Sequence, residues 1–230
     1  PDYETFFTQY HATVHEDVCA GGFSGSQLKL PYESSRGCWW GAKHHCTFCG
    51  LNANGRNHRT KDAGKVHREV TEMVDRHGVT QILMVDNIMP HSYFSTLLPE
   101  LAKAEEKLSI FYEQKANLSL DRMTALRDAG VTSIQPGIES LSTSLLKRMR
   151  KGSSAQVNLD CLRYAQSLGV DVVWNLLTDF PGDQVEDYDG MLALIPKLHH
   201  LQPPTGVGGL SLDRFSPYHQ TPEAFGVTKI

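Results

Sequence analysis

The chain has 230 residues, 22 Lys+Arg against 26 Asp+Glu, and a formal net charge of -4. That size suits one domain with a real core and short extensions. The mild negative charge argues against nucleic acid as the main partner, which needs a concentrated basic face. No apolar run approaches the roughly 20 residues of a membrane span, and the start, PDYETFFTQYHATVH, lacks the basic and apolar regions of a secretory signal. A cytoplasmic protein with no membrane attachment is expected.

The first 27 residues, with Gly21, Gly22 and the run Ser24 to Ser26, read as a linker, the remnant of a preceding region. A repeating pattern then begins. Apolar or β-branched runs at Leu28–Tyr32, Gln81–Val85, Ser109–Tyr112, Thr132–Pro136, Val170–Leu177 and Gly209–Phe215 predict six strands. Helical patterns lie between them. Val66, Val70, Met73 and Val74 form one stripe on a helix from Asp62 to His77. Ser92 to Lys107 is helical with a break at Pro99. Ser119 caps a helix closed by Gly130, and Ser142 opens another, closed by Gly152. Val157, Cys161, Tyr164 and Leu168 mark a further helix ended by Gly169, and Asp183 to His200 forms the last. Six strand–helix units imply an α/β fold with a parallel sheet, either a partial, open (β/α)6 barrel or a doubly wound sheet. The core spans 28–216, and 217–230 reads as the start of a truncated C-terminal extension.

The chemistry concentrates in the loop after the first strand. GCWWGAKHHCTFCG, from Gly37 to Gly50, spaces Cys38, Cys46 and Cys49 as Cys-x7-Cys-x2-Cys. Clustered, odd-numbered cysteines without a signal peptide point to metal or catalysis rather than a disulfide frame. Loops at the carboxyl ends of parallel strands are where active sites form. Three thiolates suit a zinc ion, with His44 or His45 as fourth ligand, or a 4Fe-4S cluster with one iron left open. Unrelated thiols are the third possibility. Trp39 and Trp40 read as loop packing, Cys161 as a small core residue, and Cys19 carries no assignment.

The run ESSRGCWWGAKHHCTFCGLN, from Glu33 to Asn52, resembles the radical S-adenosylmethionine (SAM) superfamily, with the aromatic Phe48 between the last two cysteines. Within it, the chain is similar to cobalamin-dependent enzymes that mature ribosomally made peptides, many of them C-methyltransferases. VDNIM, FYEQKANLS, IQPGIESLS, MRKG, WNLLTDFPGD and RFSPY extend the match over nearly all residues after 30. The usual superfamily spacing is Cys-x3-Cys-x2-Cys; the longer first gap is that of this subgroup.

The resemblance implies a (β/α)6 barrel in which Cys38, Cys46 and Cys49 ligate a 4Fe-4S cluster whose open iron takes SAM. It implies that Asp86 and Asn87 meet the methionine amino group, although Val-Asp-Asn replaces the common Gly-Gly-Glu and both residues also suit a turn. Glu139 and Ser140 would contact the ribose, Ser140 being otherwise a turn residue. Lys151 stands where relatives carry an Arg for the SAM carboxylate, and offers a point charge without a bidentate fork; its other reading is a solvated helix end. Asn175 and Leu177 would flank the adenine, with Leu177 equally suited to the core. Glu113, Lys115 and Asn117 end the third strand and could face ligand, while Arg214 and Tyr218 are candidates for peptide contact or proton donation.

The expected activity is hydrogen abstraction from a precursor peptide followed by cobalamin-dependent methylation, with an external one-electron reductant. Relatives bind cobalamin in a separate domain ahead of the barrel, so the chain reads as the catalytic core of a longer enzyme. Alternatives are a radical SAM epimerase or crosslinking enzyme without cobalamin, a zinc-stapled binding module, and an inactive scaffold that holds a leader peptide.

Overall fold

The computed structural model describes residues 2–13, 28–51 and 57–227. A parallel sheet of five strands forms its centre, in the order β1 (Leu30–Tyr32), β4 (Gln81–Met84), β5 (Ser109–Glu113), β6 (Val131–Gln135) and β7 (Asp171–Val172). Register is set by buried residues in neighbouring strands: Leu30 pairs with Ile82, and Tyr112 with Ile134. Beyond β7 the wall continues as a second parallel pair, β8 (Asn175–Thr178) with β9 (Gly206–Gly209). A single bridge between Glu139 and Leu176 ties that pair to the main sheet. A small antiparallel hairpin, β2 (Ser35–Arg36) with β3 (Arg59–Thr60), brackets the cysteine loop. Among the described residues no pairing joins β1 to β9, so the barrel is partial and open.

The helices are α1 (Glu4–Thr13), α2 (Trp39–Lys43), α3 (Ala63–His77), α4 (Leu98–Ala102), α5 (Leu120–Asp128), α6 (Thr143–Arg148), α7 (Ala155–Leu168), α8 (Val185–Leu194) and α9 (Pro217–Gln220). Their ends follow local chemistry. The Asp62 carboxylate accepts from Lys65 N–H at 3.0 Å and starts α3, and Gly78 ends it with φ +63. Ser119 and Ser154 cap α5 and α7 in the same way. Val66, Val70, Met73 and Val74 all face inward from α3, the stripe expected from their spacing.

Four expectations need correction. The leading 27 residues are not linker throughout, because Glu4–Thr13 is helical and Phe7 is buried with its ring stacked on His77 at 4.5 Å; residues 14–27, with Cys19, lie outside the described residues. The fifth strand is interrupted after Val172, where the chain leaves β6 and turns to pair with β9. The sixth strand is Gly206–Gly209 rather than Gly209–Phe215, since GVGG finds the backbone partners of β8 while 210–215 cross toward the cysteine loop. The helix expected from Ser92 forms as a 3-10 turn at His91–Phe94 and a restart at Leu98–Ala102, with Pro99 in its first turn, where the missing N–H costs nothing. No helix of the described residues is long and apolar enough to cross a membrane.

Candidate active site

The cysteine loop is built by its own residues and then fastened to two other segments. Cys38 caps α2, its Sγ accepting from Gly41 N–H at 3.3 Å. Gly37 precedes it at φ +83, where an added Cβ would lie 2.4 Å from the Asn57 carbonyl. On the far side the loop meets residues 148–152: Thr47 N–H donates to the Met149 carbonyl at 3.0 Å, and the Trp40 indole N–H to the Arg150 carbonyl at 3.0 Å. Underneath, Tyr218 N–H donates to the Thr47 carbonyl at 3.0 Å.

This arrangement places all three cysteines on one open cleft of about 740 Å³ at the carboxyl ends of the strands. Phe48, Asn87, Glu113 and Glu139 line it, together with Lys115 and Lys151. Inside it Lys151 Nζ lies 3.3 Å from Glu139 Oε1. Burial works against the Lys151 charge, yet Glu139 and then Cys46 outweigh it and raise its pKa above the ordinary lysine value. Among the described residues no carboxylate pairs with Lys115 at that distance; burial and the neighbouring Lys151 push it down to about 8. Its ammonium sits 3.8 Å from the centre of the Trp40 ring and donates to the Lys151 carbonyl. Burial, then Asp86 and Glu139, raise the pKa of Glu113. Burial likewise pushes the Cys46 and Cys49 thiols up, with Lys151 pulling in the opposite direction.

Glu139 is held at φ +57, a conformation a non-glycine residue rarely keeps without cause. Its carbonyl accepts from Leu177 N–H at 2.9 Å, and the turn aims the carboxylate at Lys151. Phe48, which lines the cleft, contacts the buried Phe180 edge to face at 6.1 Å.

The closed zinc site is not formed: His45 Nε2 is engaged by the Cys49 carbonyl at 2.9 Å, and His44 stacks on Trp40 at 4.1 Å. Among the described residues no three His, Cys, Asp or Glu side chains converge where a single ion would sit. Three thiols around one mouth suit a larger, cuboidal cluster. Hydrogen bonds to the sulfurs from Gly41 N–H and from the Leu51 backbone match the environment such clusters use.

Several residues expected at the ligand lie elsewhere. Asp86 is 1% exposed behind the cleft wall, engaged by Ser34, Ser35 and Tyr112. Ser140 is fully buried, with its hydroxyl against the Met191 sulfur. Leu177 packs on the core and serves Glu139 through its backbone, while Asn175 is exposed at the start of β8. Asn117 is exposed and outside the cleft lining. Arg214 is exposed, stacks on its neighbour Phe215 at 4.8 Å, and abuts Gly50 through its carbonyl. Tyr218 is buried, edge-on to Phe225, and supports the cysteine loop from below. In exchange the cleft recruits Trp40, Gln114, Gln135 and Gly137. Gln135 and Gly137 were legible as the exit of a strand; the ring of Trp40 was not, because its position depends on residues 150–152.

The profile of the Radical SAM superfamily matches residues 32–195. An uncharacterized methyltransferase of Pyrococcus horikoshii is 22% identical over 169 residues, covering 72% of this chain and 36% of its own. Among solved structures, the cobalamin-dependent S-adenosylmethionine radical enzyme OxsB, with aqua-cobalamin bound, superposes with a TM-score of 0.65 at 20% identity, covering 85% of this chain and 30% of its own. The radical S-adenosylmethionine methyltransferase TsrM of Kitasatospora setae, with cobalamin and a 4Fe-4S cluster bound, gives 0.68 at 17% identity, covering 82% and 35%. The chain thus spans about a third of the length of these proteins.

Proposed function

Since this chain belongs to the radical SAM superfamily, we propose that its cleft binds a 4Fe-4S cluster through Cys38, Cys46 and Cys49 and takes SAM beside it. The observation that carries this reading is that the three cysteines, Phe48 and the Lys151–Glu139 pair all line one cleft. Held there by Cys38, Cys46 and Cys49, a reduced 4Fe-4S cluster would supply the chemistry of one-electron reductive cleavage of SAM to methionine and a 5′-deoxyadenosyl radical, which would take hydrogen from a substrate carbon.

The protein's own residues bind, orient and exclude. Lys151 offers its charge to the SAM carboxylate, and Glu139, already in position beside it, keeps that charge in place. The amide of Asn87 and the carboxyl of Glu113 flank the remaining polar end of the ligand. Phe48, packed on Phe180, excludes water where it lines the cleft, so that a radical formed there meets substrate first. The electron comes from an external one-electron reductant.

The substrate is a precursor peptide and the outcome a new carbon–methyl bond with cobalamin as methyl carrier. The resemblance to peptide-maturing C-methyltransferases supports this, as does the likeness of the fold to OxsB and TsrM, both described with cobalamin bound. No residue of this chain is assigned to cobalamin, which the domain ahead of the barrel holds in the enzymes it resembles. The Lys-for-Arg exchange at Lys151 makes the carboxylate contact monodentate.

Anaerobic reconstitution should give a brown protein with about four irons per chain. Reduction with dithionite should then release 5′-deoxyadenosine, and Cys49→Ala should abolish the release. A colourless protein holding one tight zinc would sink the proposal. With cobalamin and a precursor peptide, a mass gain of one CH2 supports methylation; an unchanged mass with an inverted stereocentre would replace it with epimerisation.

A further inference from the structure

The Asp86 carboxylate sits between two strand exits and binds both. Its Oδ1 accepts from Ser34 N–H at 2.7 Å. Its Oδ2 accepts from three hydroxyls: Ser34 at 2.5 Å, Ser35 at 2.8 Å and Tyr112 at 3.1 Å. Ser34 and Tyr112 also touch one another. All four groups are buried. Ser34 and Ser35 follow β1 and lead, within four residues, to Cys38. Asp86 follows β4 and leads directly to Asn87 and Ile88, which line the cleft with the cysteines. The Ser35 hydroxyl additionally reaches the Ile88 carbonyl at 3.2 Å, and Tyr93 braces the Ser34 carbonyl from outside at 3.2 Å.

A buried carboxylate costs stability unless each oxygen is satisfied. Here three of the four donors come from Ser34 and Ser35, in the segment that leads to Cys38, and the fourth is Tyr112 of β5. We propose that Asp86 is a positioning residue: it touches no ligand and fixes the separation between the cysteine loop and the Asn87–Ile88 wall, and so the width of the slot that receives the methionine end of SAM. The inference rests on the proposed function for its consequence, but the clamp itself is a property of the chain without cofactor.

Three variants of the full chain test it: Asp86→Asn, Ser35→Ala and Tyr112→Phe. The last two each remove one donor and keep the test open if Asp86→Asn folds poorly. The first readout is amide exchange at Ser34 and alkylation of Cys38 in the iron-free protein. Asp86→Asn should accelerate both about tenfold, as expected when a buried charged hydrogen bond is lost, and the donor variants severalfold. The second readout is the reconstituted protein. Iron content should stay at the wild-type level in all three, while the KM for SAM in 5′-deoxyadenosine release rises about tenfold in Asp86→Asn and by graded smaller factors in the others, with kcat changed less.

Unchanged exchange and alkylation in Asp86→Asn would overturn the clamp. A raised KM in Asp86→Asn with Ser35→Ala and Tyr112→Phe both silent would overturn it too, because Asp86 would then be meeting SAM itself. Iron content falling in step with the rise in KM in every variant would show a structural role only and would also overturn it. Failure of the wild type to take up iron would instead count against the proposed function, and the exchange data would still decide the clamp.

Discussion

Gly152 and Trp40 are in such close packing that no side chain fits between them: a Cβ on Gly152 would lie 2.0 Å from Trp40 Cη2. Gly152 also holds φ +60, so the position asks for glycine twice, once for conformation and once for space. The contact seats the indole whose N–H binds the Arg150 carbonyl, and the Cys46 sulfur stands 4.0 Å from that same carbonyl.

Gly152→Ala should therefore cost about 2–4 kcal/mol, from left-handed strain and a displaced indole together. Gly169 is the control. It has nearly the same φ of +68 and nothing within 4 Å of its added Cβ, so Gly169→Ala should cost only about 1–2 kcal/mol. Urea denaturation of the two variants checks the difference. Equal losses would show that the Trp40 contact contributes nothing. In the reconstituted protein, Gly152→Ala should also lose iron faster in air.

Lys115 makes a pH-dependent prediction. Its pKa in the folded chain falls to about 8 from an unfolded value of 10.5, because burial and Lys151 disfavour the charge. A depressed folded pKa on a lysine means that the folded state binds its proton more weakly than the unfolded state does. The resulting destabilisation is fully present below pH 8, fades as pH rises from 8, and is gone above 10.5. Lys115→Met should accordingly raise the melting temperature of the iron-free chain at pH 7, and that advantage should shrink between pH 8 and 10. The gain is partly offset by loss of the Trp40 contact, about 1 kcal/mol. An advantage independent of pH would show that the ammonium is not desolvated as described.

The strand–helix rhythm and the cysteine loop were readable because periodicity, caps and ligand spacing are local signals. Asp62, Ser119, Ser142 and Ser154 all cap the helices they precede. The roles of polar residues at strand exits were less readable, because one backbone step decides whether a side chain faces the cleft or the core. Asn87 and Glu139 face the cleft; Asp86 and Ser140, their immediate neighbours, are buried. Nothing local to Tyr218 reveals that 210–218 return beneath the cysteine loop. The sixth strand is hidden in the sequence because GVGG carries little β propensity, and only pairing with β8 makes it a strand.

Helix α1 is a second case of tertiary contact overriding a weak local signal. Its Phe7 is 8% exposed and stacks on His77 at the end of α3, and Glu4 lies 3.8 Å from Arg76. Phe7→Ala should lower stability by about 3 kcal/mol, within the range for a buried aromatic lost from a core. Glu4→Gln should change it by less than about 0.5 kcal/mol, since both partners of that pair are solvent-exposed. Because none of Glu4, Phe7, Arg76 and His77 lines the cleft, Phe7→Ala should retain full iron on reconstitution. Denaturant titration with an iron assay checks both halves. A stable Phe7→Ala chain would mean that α1 is not docked.

Cys161 separates the thiols of the site from those of the core. It is fully buried on α7, and burial pushes its pKa up to about 12. Cys38, Cys46 and Cys49 are partly exposed at the cleft. Iodoacetamide at neutral pH should therefore alkylate the three loop cysteines of the iron-free chain while Cys161 reacts only through global unfolding. At the usual stability of a domain this size that slows labelling by at least about a thousandfold. Peptide mapping resolves each site, and urea below the unfolding midpoint should accelerate Cys161 but not the three loop cysteines. Cys161→Ala should keep the full iron content at a cost of about 1 kcal/mol, whereas Cys161→Ser should cost about 1–3 kcal/mol by burying a hydroxyl among apolar neighbours. Labelling of Cys161 at the pace of Cys38 in the native chain would show that α7 opens locally and that the core on this side of the sheet is not closed.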